Sequence, residues 1–332
     1  MTIRRAALGL VLALLPALPG AAQGGCTGPD LIAALPESDR SALVQAADAV
    51  PFARGLVWQA TRGGQVVHLV GTHHLDDARH GALMDRIAPL IDGAATVLVE
   101  AGPEQERALA AEIAARPGLM FRTEGPGMDQ RLPPALWQKL SAAVAARGVS
   151  PQLAARMQPW YLSILLGVPG CAAGDLAQGR RGLDQRVIAR AGERGVPVAA
   201  LEPFDTVLTM FAGLDPAEQD RMLELTLGQI DQADAMAATL AGIYFARETR
   251  LAWEFTRHLA LTAPGADLAE VEASLARMEQ ALVTDRNRAW VPVIEAAAAT
   301  GPVVAAFGAL HLPGEAGVLA LLQRNGWTIT PH

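Results

Sequence analysis

Val66-Val67-His68-Leu69-Val70-Gly71-Thr72-His73-His74 stands near the start of the chain, and Val303-Val304-Ala305-Ala306-Phe307-Gly308-Ala309-Leu310-His311 near its end. Each is a short apolar run, read as a strand, that closes in Gly-x-x-His. Glycine lets a backbone turn sharply off a strand and leaves room for a ligand. Two further apolar runs end in a carboxylate: Val97 to Val99 stops at Glu100, and Val196 to Leu201 stops at Glu202. In open α/β sheets, ligands sit beyond the carboxyl ends of the strands. If these four runs are parallel neighbours, two histidines and two carboxylates meet on one rim.

The rest of the chain supplies a matching frame. Gly55 to Ala60 and Gln65 to Val70 read as strands around the turn Arg62-Gly63-Gly64, a hairpin. Ala94 to Glu100, Val196 to Leu201, Pro302 to Phe307 and Trp327 to Ile329 read as further strands. Helical patterns fill the intervals: Asp30 to Ala49 broken near Pro36, Glu104 to Ala115, Pro134 to Arg147, Leu183 to Arg194, Pro216 to Arg257, and Leu268 to Ala299. Strands alternating with helices predict an α/β fold, a mixed and largely parallel sheet flanked by helices. The stretch from about 204 to 283 carries no strand pattern and reads as a helical insertion within a single domain over 26–332.

The N-terminus reads as a leader. Arg4 and Arg5 precede the apolar run Ala6 to Leu18, and small residues at Gly20 and Ala22 suit a signal peptidase. That pattern predicts a signal peptide over 1–22 and a periplasmic or secreted protein, with a short membrane anchor as the alternative. No later apolar stretch reaches the ~20 residues of a spanning helix, so no transmembrane segment is expected in the mature chain. The formal net charge is −7 and becomes more negative once Arg4 and Arg5 leave with the leader. Such a chain lacks the basic footprint that phosphate backbones require, which argues against nucleic acid as a partner. The two cysteines, Cys26 and Cys171, are not spaced as C-x-x-C. In an oxidising compartment an even pair predicts one disulfide, two free thiols being the alternative.

Neutral imidazoles together with carboxylates suit a divalent transition metal. His74, His311 and Glu100 are therefore the candidate metal ligands. A carboxylate not used as a ligand is available as general base, so Glu100 stands as ligand or base. Neighbouring His73 is the alternative inward-facing histidine. His68 reads as a packed strand residue and His80 as solvent-exposed. No Gly-x-Ser-x-Gly elbow, His-Glu-x-x-His helix, phosphate loop or Gly-x-Gly-x-x-Gly occurs in the chain.

These phrases, taken in order, resemble the TraB/GumN family, with TIKI proteases and the erythromycin esterase and ChaN-like proteins as more distant relatives. The matching residues are Leu69-Val70-Gly71-Thr72-His73-His74-Leu75, Val97-Leu98-Val99-Glu100 and Gly182-Leu183-Asp184. They continue through Gly195 to Glu202, Asp285-Arg286-Asn287-Arg288 and Phe307 to Glu315. The resemblance implies a core of Gly71 with His74, Gly308 with His311, and Glu100. It implies that Arg286, in its Arg-Asn phrase with Asn287, orients a carboxylate or a substrate oxyanion, and that Asp184 and Glu202 support the site. His73 departs from the aliphatic residue many relatives carry. The expectation is an exported metal-dependent hydrolase of peptide, amide or ester bonds, its substrate a peptide or small molecule. Glu100, Arg286 and Glu202 are its candidate catalytic residues. The alternative is a non-catalytic protein that binds a metal, haem or small ligand at the same rim.

Overall fold

The computed structural model describes residues 25–263, 265 and 267–332, so the expected leader lies outside the described residues. The strands are β1 Val57–Arg62, β2 Gln65–Thr72, β3 Thr96–Val99, β4 Val198–Ala200, β5 Val303–Gly308 and β6 Thr328–Pro331. They form one sheet in the order β4-β3-β5-β2-β1-β6. β4, β3, β5 and β2 are consecutive parallel neighbours. β1 returns antiparallel on β2 through Gly63 and Gly64, both at positive φ, and β6 closes the edge antiparallel to β1. The protein is thus α/β, with a mixed, mostly parallel sheet flanked by helices.

Alternation along the strands sends residues to two apolar layers. Val67 and Leu69 of β2 and Val303, Ala305 and Phe307 of β5 pack with Trp290 and Ile294 of the helix Asp285–Ala298 and with the helix Val318–Arg324. On the other face, Val70, Val97, Val99, Val304 and Ala306 pack with Ile87 and Ile91 of the helix His80–Asp92. The helix Leu183–Arg194 joins them with Leu183, Val187 and Ala191, a stripe at i, i+4, i+8. Fully burying one Val, Leu or Ile contributes about 1.5–3 kcal/mol, so β2, β3 and β5, with their runs of buried residues, are firmly held, while β4 at the edge has none. That helix ends at Gly195 in the left-handed region (φ 68°), the ordinary glycine stop.

Two compact units are distinguished. One comprises Pro29–Gly102, Arg181–Glu202 and Ala238–His332 and contains the whole sheet. The other holds Pro103–Arg180 and Pro203–Ala237 with the described N-terminal residues up to Gly28. It is helical, and its core is built from residues such as Leu140, Met157, Leu162, Leu165, Leu223 and Leu227. Within it Cys26 and Cys171 form a disulfide with a Cα–Cα distance of 5.3 Å. The bond closes a loop of sequence separation 145, and the loss of unfolded-chain entropy this implies is worth about 5 kcal/mol in the chain-entropy picture.

The long helical patterns are more broken than the sequence predicts. Pro216 to Arg257 divides into Pro216–Gln229, Ala233–Phe245 and Thr249–Leu261. The second break falls at Arg247, whose positive φ of 63° a continuing helix does not allow. Leu268 to Ala299 divides into Leu268–Glu279 and Asp285–Ala298 around a π-helical turn, Gln280–Thr284. Residues 204–283 hold no strand among those described. No single described helix is long and apolar enough to cross a membrane, and the apolar helix Pro159–Gly167 is packed inside the helical core.

Candidate active site

The four parallel strand ends bring their polar residues to one rim. The reference point is the Cβ position that Gly308 lacks. Glu100 Oε1 lies 3.2 Å from that point, His74 Nε2 3.5 Å and His311 Cδ2 3.7 Å. A side chain at 308 would fill the space the three groups share. Residues separated by most of the chain thus meet because β2, β5 and β3 are neighbours.

His74 is set from below by its own strand and from the side by a helix. Its Nδ1 lies 2.9 Å from Asp184 Oδ2, and Thr72 Oγ1 donates to Asp184 Oδ1. Asp184 opens the helix Leu183–Arg194. The backbone is clamped as well: Gly182 N donates to His74 O at 3.1 Å and Leu183 N to His73 O at 2.9 Å. The approach is so close that a Cβ on Gly182 would stand 2.1 Å from His73 O. Asp184 beside it raises the His74 pKa to about 10 against the opposing effect of burial. Burial works against the Asp184 carboxylate, but His74 and Thr72 outweigh it and bring its pKa down to about 2. The His74 side chain is nevertheless 66% exposed, so solvent screens much of what this pair is worth.

His73 points elsewhere. Its ring stacks on Tyr244 with centroids 5.3 Å apart, and Tyr244 Oη donates to Gly71 O at 2.9 Å. Burial, chiefly, lowers the His73 pKa to about 4. The inward-facing histidine is therefore His74. His80 is not exposed, contrary to the sequence expectation: it is fully buried, packs on Phe245 with centroids 5.1 Å apart, and its Nε2 lies 3.0 Å from Leu75 O. The turn after His74 folds back over it, which the charged sequence around it does not announce.

His311 is built differently. It is 6% exposed, and its Nδ1 lies 2.6 Å from Asn287 Oδ1. Asn287 Nδ2 donates to His311 O and to Ala316 O, which identifies Oδ1 as the acceptor and places the imidazole proton on Nδ1. Nε2 then carries the lone pair. Burial lowers the His311 pKa to about 4, so the ring is neutral across the physiological range.

Arg286 ties the carboxylates together. Its Nε and Nη2 donate to Glu202 Oε2 and Oε1 at 2.8 and 2.7 Å, a two-pronged pair. Nη2 also donates to Glu100 Oε2 at 2.6 Å, and Nη1 donates to Leu282 O and faces His311 Nε2 at 3.4 Å. Glu100 Oε1 accepts the Gly308 N–H at 2.6 Å. Burial pushes the Glu100 pKa up, but His311, His74 and Arg286 and the Gly308 N–H together bring it below the usual carboxylate range. Arg286 is therefore already engaged by two carboxylates and serves first as the clamp that orients Glu100. Glu202 lies one contact further back, holding Arg286. Trp290, which the sequence reading missed, donates its Nε1–H to Glu202 Oε2 at 3.0 Å. Its i, i+4 spacing from Arg286 on one helix was the signal available. Thr72 was also missed, although it lies inside the first Gly-x-x-His phrase.

A family model described as the TraB/PrgY/gumN family matches residues 56–331, nearly the whole chain. The chain belongs to this family. No curated protein matches it. A divalent transition metal needs neutral imidazole nitrogens and carboxylate oxygens around one point. Both imidazoles spend Nδ1 on an oriented partner and present Nε2, the arrangement metal-binding histidines use. Glu100, Glu202, Asp184 and Arg286 leave a charge of −2 when both imidazoles are neutral, which a divalent cation balances. Among the described residues, however, no three His, Cys, Asp or Glu side chains are already arranged to hold a metal ion. The donor types fit a transition metal, and the side chains would have to move closer together to hold one.

Proposed function

We propose that this TraB-family chain is an exported, metal-dependent hydrolase of peptide, amide or ester bonds. The observation that carries the reading is the meeting of His74, Glu100 and His311 around Gly308 at neighbouring parallel strand ends. His74 and His311 would hold the metal through Nε2, with Glu100 beside them. When bound, a divalent cation lowers the pKa of water and polarises a carbonyl. His74 must lose its second proton to serve, so uptake releases a proton there. Glu100, ionised at neutral pH and fixed by Gly308 and Arg286, accepts a proton from the attacking water. Arg286 keeps Glu100 in that orientation and places positive charge near the oxygen that becomes negative. The arginine-bearing leader, the small residues before Gln23 and the Cys26–Cys171 bond support an oxidising, extracytoplasmic location.

The test is turnover of peptide and ester reporters by protein recovered from its own compartment. Activity should vanish with a chelator, return with one divalent metal, and fall at least a hundredfold in His311→Ala. Undiminished turnover in chelator, or in His311→Ala, removes the reading. One observation favours a second reading, a protein that binds a metal or small ligand without turnover. The fork of Arg286 is committed to Glu202 and Glu100, leaving few donors for a developing oxyanion. Stoichiometric ligand uptake with no turnover of any reporter would support that reading.

A further inference from the structure

The helix Asp285–Ala298 sends three side chains into the site, and only two belong to phrases that the sequence picks out. The third, Trp290, is fully buried and touches three different groups. Its Nε1–H donates to Glu202 Oε2 at 3.0 Å. The Arg286 guanidinium carbon lies 4.7 Å from its ring centroid, and the His311 ring lies 4.3 Å away. A guanidinium over an indole face is attracted by the ring, more so when water is excluded.

Taken alone, the Glu202–Arg286 pair has freedom that the site cannot tolerate. A carboxylate and a guanidinium can pair through several edges, and Nη2 must keep one hydrogen for Glu100 Oε2. Oε2 of Glu202 accepts both Arg286 Nε and Trp290 Nε1, which fixes the plane of the carboxylate. The indole face then fixes the plane of the guanidinium. We propose that Trp290 is a positioning residue: its N–H and ring face hold Glu202 and Arg286 in the one orientation that leaves a guanidinium hydrogen for Glu100, and its ring packs against that of His311. The inference rests on the reading that Glu100, Arg286 and His311 do the work of the site.

The experiment compares Trp290→Phe, which keeps a ring and loses the N–H, with Trp290→Leu, which loses both. Ile294→Ala, one turn further along the same helix in the apolar layer, controls for simple loss of core packing. The first measurement needs neither metal nor substrate. The Arg286 Nε–H resonance, assigned through Arg286→Lys, is followed by 15N NMR together with its hydrogen exchange. Exchange should quicken at least tenfold in Trp290→Phe and more in Trp290→Leu, and stay within twofold of the original in Ile294→Ala. The second measurement is cobalt(II) affinity, expected to weaken about tenfold in Trp290→Phe. Should the unaltered protein take up no cobalt, the metal reading fails, while the arginine resonance still decides the role of Trp290. Should Trp290→Leu not fold, Trp290→Phe decides alone. Unchanged Arg286 exchange in Trp290→Phe overturns the inference.

Discussion

The two Gly-x-x-His phrases differ by little on paper and by a great deal in the folded chain. His74 is two-thirds exposed, paired with a carboxylate, and holds its proton to about pH 10. His311 is buried, paired with a neutral amide, and stays neutral down to about pH 4. The strands that carry them are parallel neighbours, but Gly71 pairs with Phe307 and Thr72 with Gly308, so the two phrases are offset by one residue. The lesson is that the same short phrase sets where a histidine leaves the sheet, while the partner of Nδ1 and the depth of burial set what it does. A charged partner outside the core makes a cation, and a neutral partner inside it makes a lone pair.

The largest effect is expected where both carboxylates depend on one group. Arg286→Met leaves Glu100 and Glu202 close together without their shared cation. Breaking a buried pair by removing one partner costs about 3–5 kcal/mol, and this substitution should approach that value in urea denaturation. It should also raise the Glu100 pKa, seen by carboxyl NMR. A loss under 1 kcal/mol would show that Arg286 is not the clamp shared by both halves of the site.

A smaller effect should strike one histidine and spare the other. Gly182→Ala puts a Cβ against the carbonyl of His73, backbone against backbone, and cannot be relieved by a rotamer change. The expected loss is about 1–3 kcal/mol, the range for overpacking. Ring resonances of His74 should shift while those of His311 hold. Equal movement of both would mean that the two phrases are not independently supported.

The smallest effect is the pH dependence of the His74–Asp184 pair. A raised histidine pKa stabilises the fold below its unfolded value of 6.5, and the gain is lost as pH climbs towards 10. A lowered aspartate pKa stabilises above 3.8, and that gain is lost as pH falls towards 2. Asp184→Asn should therefore cost most between about pH 4 and 6.5, with the gap closing on either side. Exposure of His74 keeps the difference small. A ring titration of the same variant should bring His74 back towards its ordinary range and leave His311 where it was. A His74 that still holds its proton to pH 10 without Asp184 would break the comparison at its root.

Much of the fold and site was legible because both are announced at strand ends. Apolar runs closing in Gly-x-x-His or in a glutamate signal strands and the polar groups beyond them, and family phrases carried Asp184, Glu202, Arg286 and Asn287. Tertiary structure alone decided which histidine turns inward, because consecutive residues beyond a strand diverge according to what packs on them, and Tyr244 claims His73. It alone buried His80 under the turn that follows His74, and broke the long helices at Arg247 and at the π-helical turn before Arg286. Trp290 was hidden for the same reason: on a helix with many apolar residues, an indole that seats an arginine reads like one that fills a core. The amino-acid order by itself determined which chemical groups stand at the ends of the parallel strands. Their protonation, and which of them touch, depend on partners well outside their own strand phrases, 24 residues away for His311 and 110 for His74, for which local sequence carries no energy term.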